Sequence, residues 1–292
     1  MKTRFHLIML AIFGIGQAFC QFTTVDFSAS FNRRLQDNNW GSIGLDGSLL
    51  NPTGVTILAG VPFAIPSGGV NYWHSYDAPT GSSYLNPMED NLPRTLIVPT
   101  AVPHALRVYA LINSYWGEPG PHPFARIEFL GNEGATASFE LVGEERIRDF
   151  NSSTWVNQNP ASVNVLQWTG WLGNPTQRLD RQRFDLPPAF QGQTLVRITL
   201  IDSGGFDRLD VPTGVNVQQR TFLAGLTVET CSEPTIAMRW TEDKMLEIDF
   251  NGVLQHSEDL MEWEDLDPQP VSPWTISPTA ARRFFRSRCH SE

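Results

Sequence analysis

Between Phe22 and Glu229 apolar residues recur in short runs with period two, and Gly, Pro, Asn and Asp interrupt the runs. A repeat of two places successive side chains on opposite faces of a strand, whereas a helix repeats near 3.6. The pattern predicts strands at Thr24–Ser28, Gly54–Leu58, Val61–Ile65, Arg94–Val98, Leu106–Asn113, Ala125–Leu130, Ala135–Val142, Val163–Thr169, Leu195–Asp202 and Thr221–Glu229. Ala135, Ala137, Phe139 and Leu141 share one face of the seventh, Thr136, Ser138 and Glu140 the other, and Asn132-Glu133-Gly134 supplies a hairpin turn before it. About ten strands at this spacing, with helix signals nearly absent, predict a β-sandwich or jelly roll.

Two stretches depart from the rhythm, Pro66 to Pro93 and Gly117 to Pro123. The first is the more informative, because long loops in compact domains usually bind something or are disordered, and disordered segments are poor in aromatics. It carries Tyr72, Trp73, His74, Tyr76 and Tyr84. After Cys231 the pattern changes to short strands at Ala237–Trp240, Met245–Phe250, Val253–Gln255 and Arg282–Arg288, with an Asn251-Gly252 turn, predicting a small antiparallel sandwich.

Ahead of all this, Lys2 and Arg4 precede an apolar run from Leu7 to Ile15 that ends near Cys20. This reads as a signal peptide over residues 1–20, too short for a membrane span, with a lipid anchor on Cys20 as the competing reading. Residues 21–230 then form the larger domain and 231–292 the smaller. The expected location is secreted, periplasmic or at the cell surface, without membrane insertion after cleavage. Loss of Lys2 and Arg4 leaves 19 basic against 31 acidic residues, a formal charge of −12. That balance argues against nucleic acid, whose phosphates need a basic surface. Cys231 and Cys289 remain as a pair spanning 59 residues. Outside the cell such a pair predicts a disulfide, worth at best about 4 kcal/mol to a module this small, with two buried thiols as the alternative.

Short motifs carry a resemblance. Gly60-Val61-Pro62-Phe63-Ala64-Ile65, Leu106-Arg107-Val108-Tyr109-Ala110-Leu111 leading to Trp116, and Phe222-Leu223-Ala224-Gly225-Leu226-Thr227 resemble galactose-binding-like jelly-roll modules of secreted bacterial proteins. Gly252-Val253-Leu254-Gln255-His256-Ser257, Leu260-Met261-Glu262-Trp263 and Arg283-Phe284-Phe285-Arg286 are similar to fibronectin-III-like C-terminal modules in secreted proteins of Verrucomicrobia and Planctomycetes. The resemblance implies an all-β chain, a jelly-roll β-sandwich followed by a smaller Ig/fibronectin-like β-sandwich, and a carbohydrate-binding role with no catalytic domain attached. No ligand-binding residue carries over from either family.

The residues themselves nominate aromatics, since a flat ring covers the C–H face of a pyranose while polar neighbours take its hydroxyls. The candidates are Trp73 and Tyr76 in the long loop, Tyr115 and Trp116 at a strand end, and Trp155 and Trp171. Core packing is the competing reading for each, and Trp168, Trp240 and Trp263 are assigned to the core. Asn71, Asp77 and Asn113 stand near enough in sequence to bind hydroxyls or to cap turns.

No HExxH, GxSxG, phosphate loop or CxxC pair is present, and the five histidines beyond the leader have no ligand spacing. Glu247 and Asp249 read as the solvated face of a strand rather than as a catalytic pair. No cofactor is expected, a structural calcium ion near Asp46 or Glu229 being the one exception considered. Asn151-Ser152-Ser153 is a formal glycosylation sequon, set aside because the resemblance implies a bacterial source, where the motif usually carries no meaning. The leading expectation is a non-catalytic binder of polysaccharide or glycan. The alternatives are a structural module that binds another secreted or surface protein, and a hydrolase with carboxylates assembled from distant parts of the chain.

Overall fold

The computed structural model describes residues 21–37, 43–75, 94–115, 123–143, 145–151, 160–169, 176–203, 220–230, 235–250, 252–277 and 283–288. Two compact units divide the chain, Phe22–Thr230 and a smaller one built from the strands after Cys231. The larger contains β1 (Gln21–Thr24), β2 (Val55–Leu58), β3 (Val61–Ala64), β4 (Trp73–His74), β5 (Arg94–Pro103), β6 (Ala105–Tyr115), β7 (Pro123–Gly131), β8 (Thr136–Val142), β9 (Ser162–Thr169), β10 (Thr176–Asp185), β11 (Thr194–Asp202) and β12 (Arg220–Thr230).

One sheet runs in the order β1-β12-β6-β10-β9, with β4 also pairing β12, and a second runs β5-β11-β7-β8. From β5 to β12 the chain passes back and forth between the sheets, in the winding of a jelly roll with β9 added at one edge. Between the sheets lies a core that includes Val98, Val108, Ile112, Ile127, Phe129, Phe184, Ile198, Leu226 and Val228. A second core, including Leu35, Leu58, Phe63, Tyr72, Tyr109, Leu111, Leu179 and Phe222, covers the other face of the six-stranded sheet. It is closed by the N-terminal segment and the β2–β3 hairpin, whose two-residue turn places Ala59 and Gly60 at positive φ.

Because both faces of that sheet are covered, every residue of β12 is buried. Gly225 lets the hairpin approach: a Cβ there would meet Phe63 Cδ1 at 3.0 Å and Leu111 Cδ1 at 3.1 Å. Thr227 Oγ1 donates to the Pro62 carbonyl and ties the same two elements.

Of the ten strands expected before Cys231, nine have observed counterparts, and Arg94–Val98 continues to Pro103. An edge strand tolerates the prolines at 99 and 103. The expected Thr24–Ser28 strand ends at Thr24 instead, because the Asp26 carboxylate accepts from Ser28 N at 2.9 Å and starts a 3-10 turn over Ser28–Ser30. Neither β10 nor β4 was legible. β10 carries five charged residues, and its two apolar side chains, Leu179 and Phe184, enter different cores, so no alternation shows in the sequence.

At the start of β10 the ladder to β6 gives way, and the segment 147–151 fills the gap through bridges Ser114↔Asp149 and Asn151↔Gln177. The buried Asp180 carboxylate accepts from Arg148 Nε and Nη2, both at 2.6 Å, and from Asn113 Nδ2 at 2.7 Å. At the end of the sandwich where β11 finishes, buried Asp202 accepts from Ser75 Oγ and from Thr221 N, both at 2.7 Å, joining the two sheets. His74, next to Ser75, stacks on Phe222 with ring centres 6.3 Å apart. Burial, reinforced by the charges of Arg33 and Arg220, pushes its pKa down to about 3.

The smaller unit holds β13 (Ile236–Trp240), β14 (Leu246–Phe250), β15 (Val253–Ser257), β16 (Glu264–Asp265), β17 (Trp274–Ile276) and β18 (Phe284–Arg288). Sheets β13-β14-β17 and β16-β15-β18 share a core of Ile248, Phe250 and Leu254, against which Trp274 and Phe285 pack. The expected Cys231–Cys289 disulfide lies outside the described residues.

Three outcomes follow from this packing. Gly225→Ala overfills the hairpin contact and costs about 1–3 kcal/mol, seen as a thermal midpoint lowered by roughly 3–10 °C. Asp180→Ala strands the Arg148 guanidinium in the gap and costs about 3–5 kcal/mol in denaturant unfolding. His74 is neutral when folded and protonates near 6.5 when unfolded, so between pH 6.5 and about 3 the unfolded chain holds the extra proton. Its contribution to stability is therefore lost as pH falls through that window, by about 1.4 kcal/mol per pH unit. Thermal midpoints measured against pH decline less steeply for His74→Phe than for the wild type.

Candidate functional site

β8 is one edge of the four-stranded sheet, opposite β5, and β9 is one edge of the six-stranded sheet, opposite β1. β9 begins at Ser162, opposite Gln182, so Arg183, Phe184 and Asp185 of β10 run on beyond it. A cleft of about 430 Å³ opens there, between the ends of the two sheets. Its floor is the half-buried Phe139 ring, backed by the buried Phe184 with ring centres 5.3 Å apart, and both rings pack on Phe129. One wall carries Glu145 and Arg146, held by a tight turn in which Arg146 N and Ile147 N both donate to the Val142 carbonyl. Pro160 and Ala161 form the opposite wall, anchored where Arg183 N donates to the Ala161 carbonyl at 3.0 Å.

The charges differ in how they are held. Asp185 accepts from Arg107 Nε at 3.0 Å and from Arg183 Nε at 3.2 Å. Arg107 also donates to Glu229 at 3.1 Å, and Tyr109 donates its hydroxyl to Glu229 at 2.7 Å. Glu229, Arg107 and Asp185 are register neighbours on β12, β6 and β10, so a charge ladder crosses three strands and ends at the cleft. Burial and the Glu229 hydrogen bond push the Tyr109 hydroxyl up to about 12, and it stays a donor. Glu145 and Arg146, by contrast, are exposed and have no side-chain partner among the described residues. Two guanidiniums and two carboxylates balance around the floor, a lining that offers donors and acceptors without selecting a charged ligand.

The aromatics expected to bind ligand are placed otherwise. Trp73 lies on β4 at 8% exposure inside the inter-sheet core. Tyr115 is equally buried and stacks on Phe150 with ring centres 5.4 Å apart. Neither presents a ring face to solvent. Tyr76, Trp116, Trp155, Trp171 and Asp77 lie outside the described residues.

Asn71 holds the N-terminal segment, accepting from Leu35 N and donating to Gln36 and to the Pro66 carbonyl. Asn113 belongs to the Asp180 network. Asp46 caps the 3-10 turn at Gly47–Leu49 and Glu229 belongs to the ladder, so the two considered for calcium act in separate networks.

Trp168 is in the core as expected, but Trp240 is 48% exposed, because β13 is an edge strand whose core-side residues are left uncovered. Trp263 is half-buried beneath the Arg286 guanidinium, 4.2 Å from its ring centre. Glu247 pairs with Arg239 at 2.7 Å, and Asp249 accepts from Ser272 Oγ at 2.7 Å.

Of the cleft residues only Phe139 stood out in the sequence, as part of an alternating strand. Arg183 and Asp185 sit on the unread β10, and Glu145 and Arg146 in a turn. A scan of the sequence against protein-family models matches none, and a search of curated proteins matches none.

Proposed function

We propose that the Phe22–Thr230 unit is a secreted, non-catalytic carbohydrate-binding β-sandwich that takes a neutral saccharide in the edge cleft. The observation that carries this reading is the cleft's make-up: the half-buried Phe139 ring rimmed by two guanidiniums and two carboxylates, with Glu145 and Arg146 free to bind. Hydroxyls of a neutral sugar both donate and accept, so they match a lining that supplies carboxylate acceptors and guanidinium donors side by side. The volume lies within the range typical of small-molecule sites. The Asp185 oxygens are engaged by two guanidiniums, an arrangement that positions a carboxylate as a fixed acceptor and favours binding over proton transfer. Attachment to another surface protein is a second reading, favoured by the exposed Met238 and Trp240 on β13 of the smaller unit.

Affinity electrophoresis of the protein in gels containing xylan, galactan, mannan or mixed-linkage β-glucan tests the first reading. The expected result is retardation by at least one polymer. Arg146→Ala and Glu145→Gln weaken it about tenfold, as loss of a hydrogen bond to a charged group would, with no reducing sugar released and unchanged thermal midpoints. Absence of retardation on every polymer, or release of sugar, overturns it.

A further inference from the structure

The four-stranded sheet turns one face to the inter-sheet core and leaves the other outside. Val98, Ile198, Phe129 and Ala137 belong to the core face, so their neighbours along each strand form the outer one. Register fixes that face row by row: Ile97, Thr199, Glu128 and Ser138 lie across it, followed by Pro99, Arg197, Leu130 and Thr136. Long charged side chains, Arg126, Glu128, Glu140 and Arg197, stand on this face. Here short hydroxyls occupy the floor, and a cavity of about 350 Å³ is lined by Glu128, Leu130, Thr136, Ser138, Arg197 and Thr199.

Thr199 is buried although it lies on the outer face, sunk between the longer side chains of its row. Glu128 is fixed by Arg126 Nε at 2.8 Å, whereas Arg197 has no partner among the described residues. The hydroxyls of Thr136, Ser138 and Thr199 likewise make no hydrogen bond among the described residues, and Ile97 and Leu130 add apolar surface beside them. Arg126 and Arg197 balance Glu128 and Glu140 on this face, so it again favours neither sign of charge.

From this arrangement we infer that the outer face of the four-stranded sheet is a second saccharide site, for a neutral chain lying across the strands. Glu128 accepts from sugar hydroxyls, Arg197 and the floor hydroxyls donate, and Ile97 and Leu130 meet the C–H face of the ring. The inference rests on the reading of this unit as a carbohydrate binder. The two sites share one edge strand, since β8 lends Phe139 to the cleft and Thr136 and Ser138 to the groove. A polymer bound at both is held more tightly than at either, because the second contact is intramolecular.

The test uses the full chain, the same four soluble polysaccharides in affinity gels, and four proteins: wild type, Arg146→Ala in the cleft, Arg197→Ala in the groove, and the double variant. Arg197 is exposed, so its replacement leaves the thermal midpoint unchanged, and Glu128→Gln provides a second groove variant. Each single variant weakens retardation about tenfold, and the double variant loses it altogether. Retardation that falls with Arg146→Ala but is unmoved by both groove variants overturns the second site and leaves the cleft standing. Retardation that falls only with the groove variants supports the groove and overturns the cleft. A wild type retarded by none of the polymers overturns both.

Discussion

Covering both faces of the six-stranded sheet leaves β6 and β12 without a solvent side. A strand in that position has nowhere to send a polar group except to another protein group, since an unpaired polar atom in the interior is costly. Its composition follows: β6 and β12 read as nearly continuous apolar runs, as strands buried on both faces do. Among the exceptions, Asn113 is held by Asp180, and Glu229 by Arg107 and Tyr109. Gly225 belongs to the same logic, since a sheet covered on its second face must admit the covering layer somewhere.

Buried charge in this fold marks places where the sheets cannot pair with themselves. Asp180 and Arg148 fill the gap between β6 and β10, and Asp202 joins the ends of the two sheets. Such pairs add little net stability, because desolvation offsets most of their attraction, but breaking one leaves a buried charge unpaired. They fix where the chain may go more than how tightly it folds. The ladder from Glu229 through Arg107 to Asp185 starts in the same way in the interior and ends at the rim, where the sheet stops and its last charges meet the cleft.

Both proposed sites lie where one sheet has run out of neighbours. The cleft exists because β9 is shorter than β10, and the groove because nothing described lies over the outer face of the four-stranded sheet. Aromatic content pointed elsewhere. Trp73 and Tyr115 are large apolar side chains next to a doubly covered sheet, and the packing there absorbs them before any ligand can. The residues left to act on a ligand are instead charged and hydroxylic ones of ordinary composition, which a search for ring platforms passes over.

What the sequence by itself determined is the strand content of the chain, the change of pattern near Cys231 and the face of β8, because these depend on alternation and turn residues that act within a few positions. Alternation was also enough to predict a sandwich. Only the tertiary structure decided which strands lie side by side, and with that the existence of β10 as a strand: five charges and two apolar residues aimed at different cores carry no local signature, and their burial makes sense only once Arg148 and Arg107 arrive from elsewhere in the chain. Exposure was decided at the same level. Trp240 looks like Trp168 in sequence, yet one is half exposed on an edge strand and the other is sealed beneath the N-terminal segment, because burial depends on what a strand's neighbours cover rather than on the strand itself.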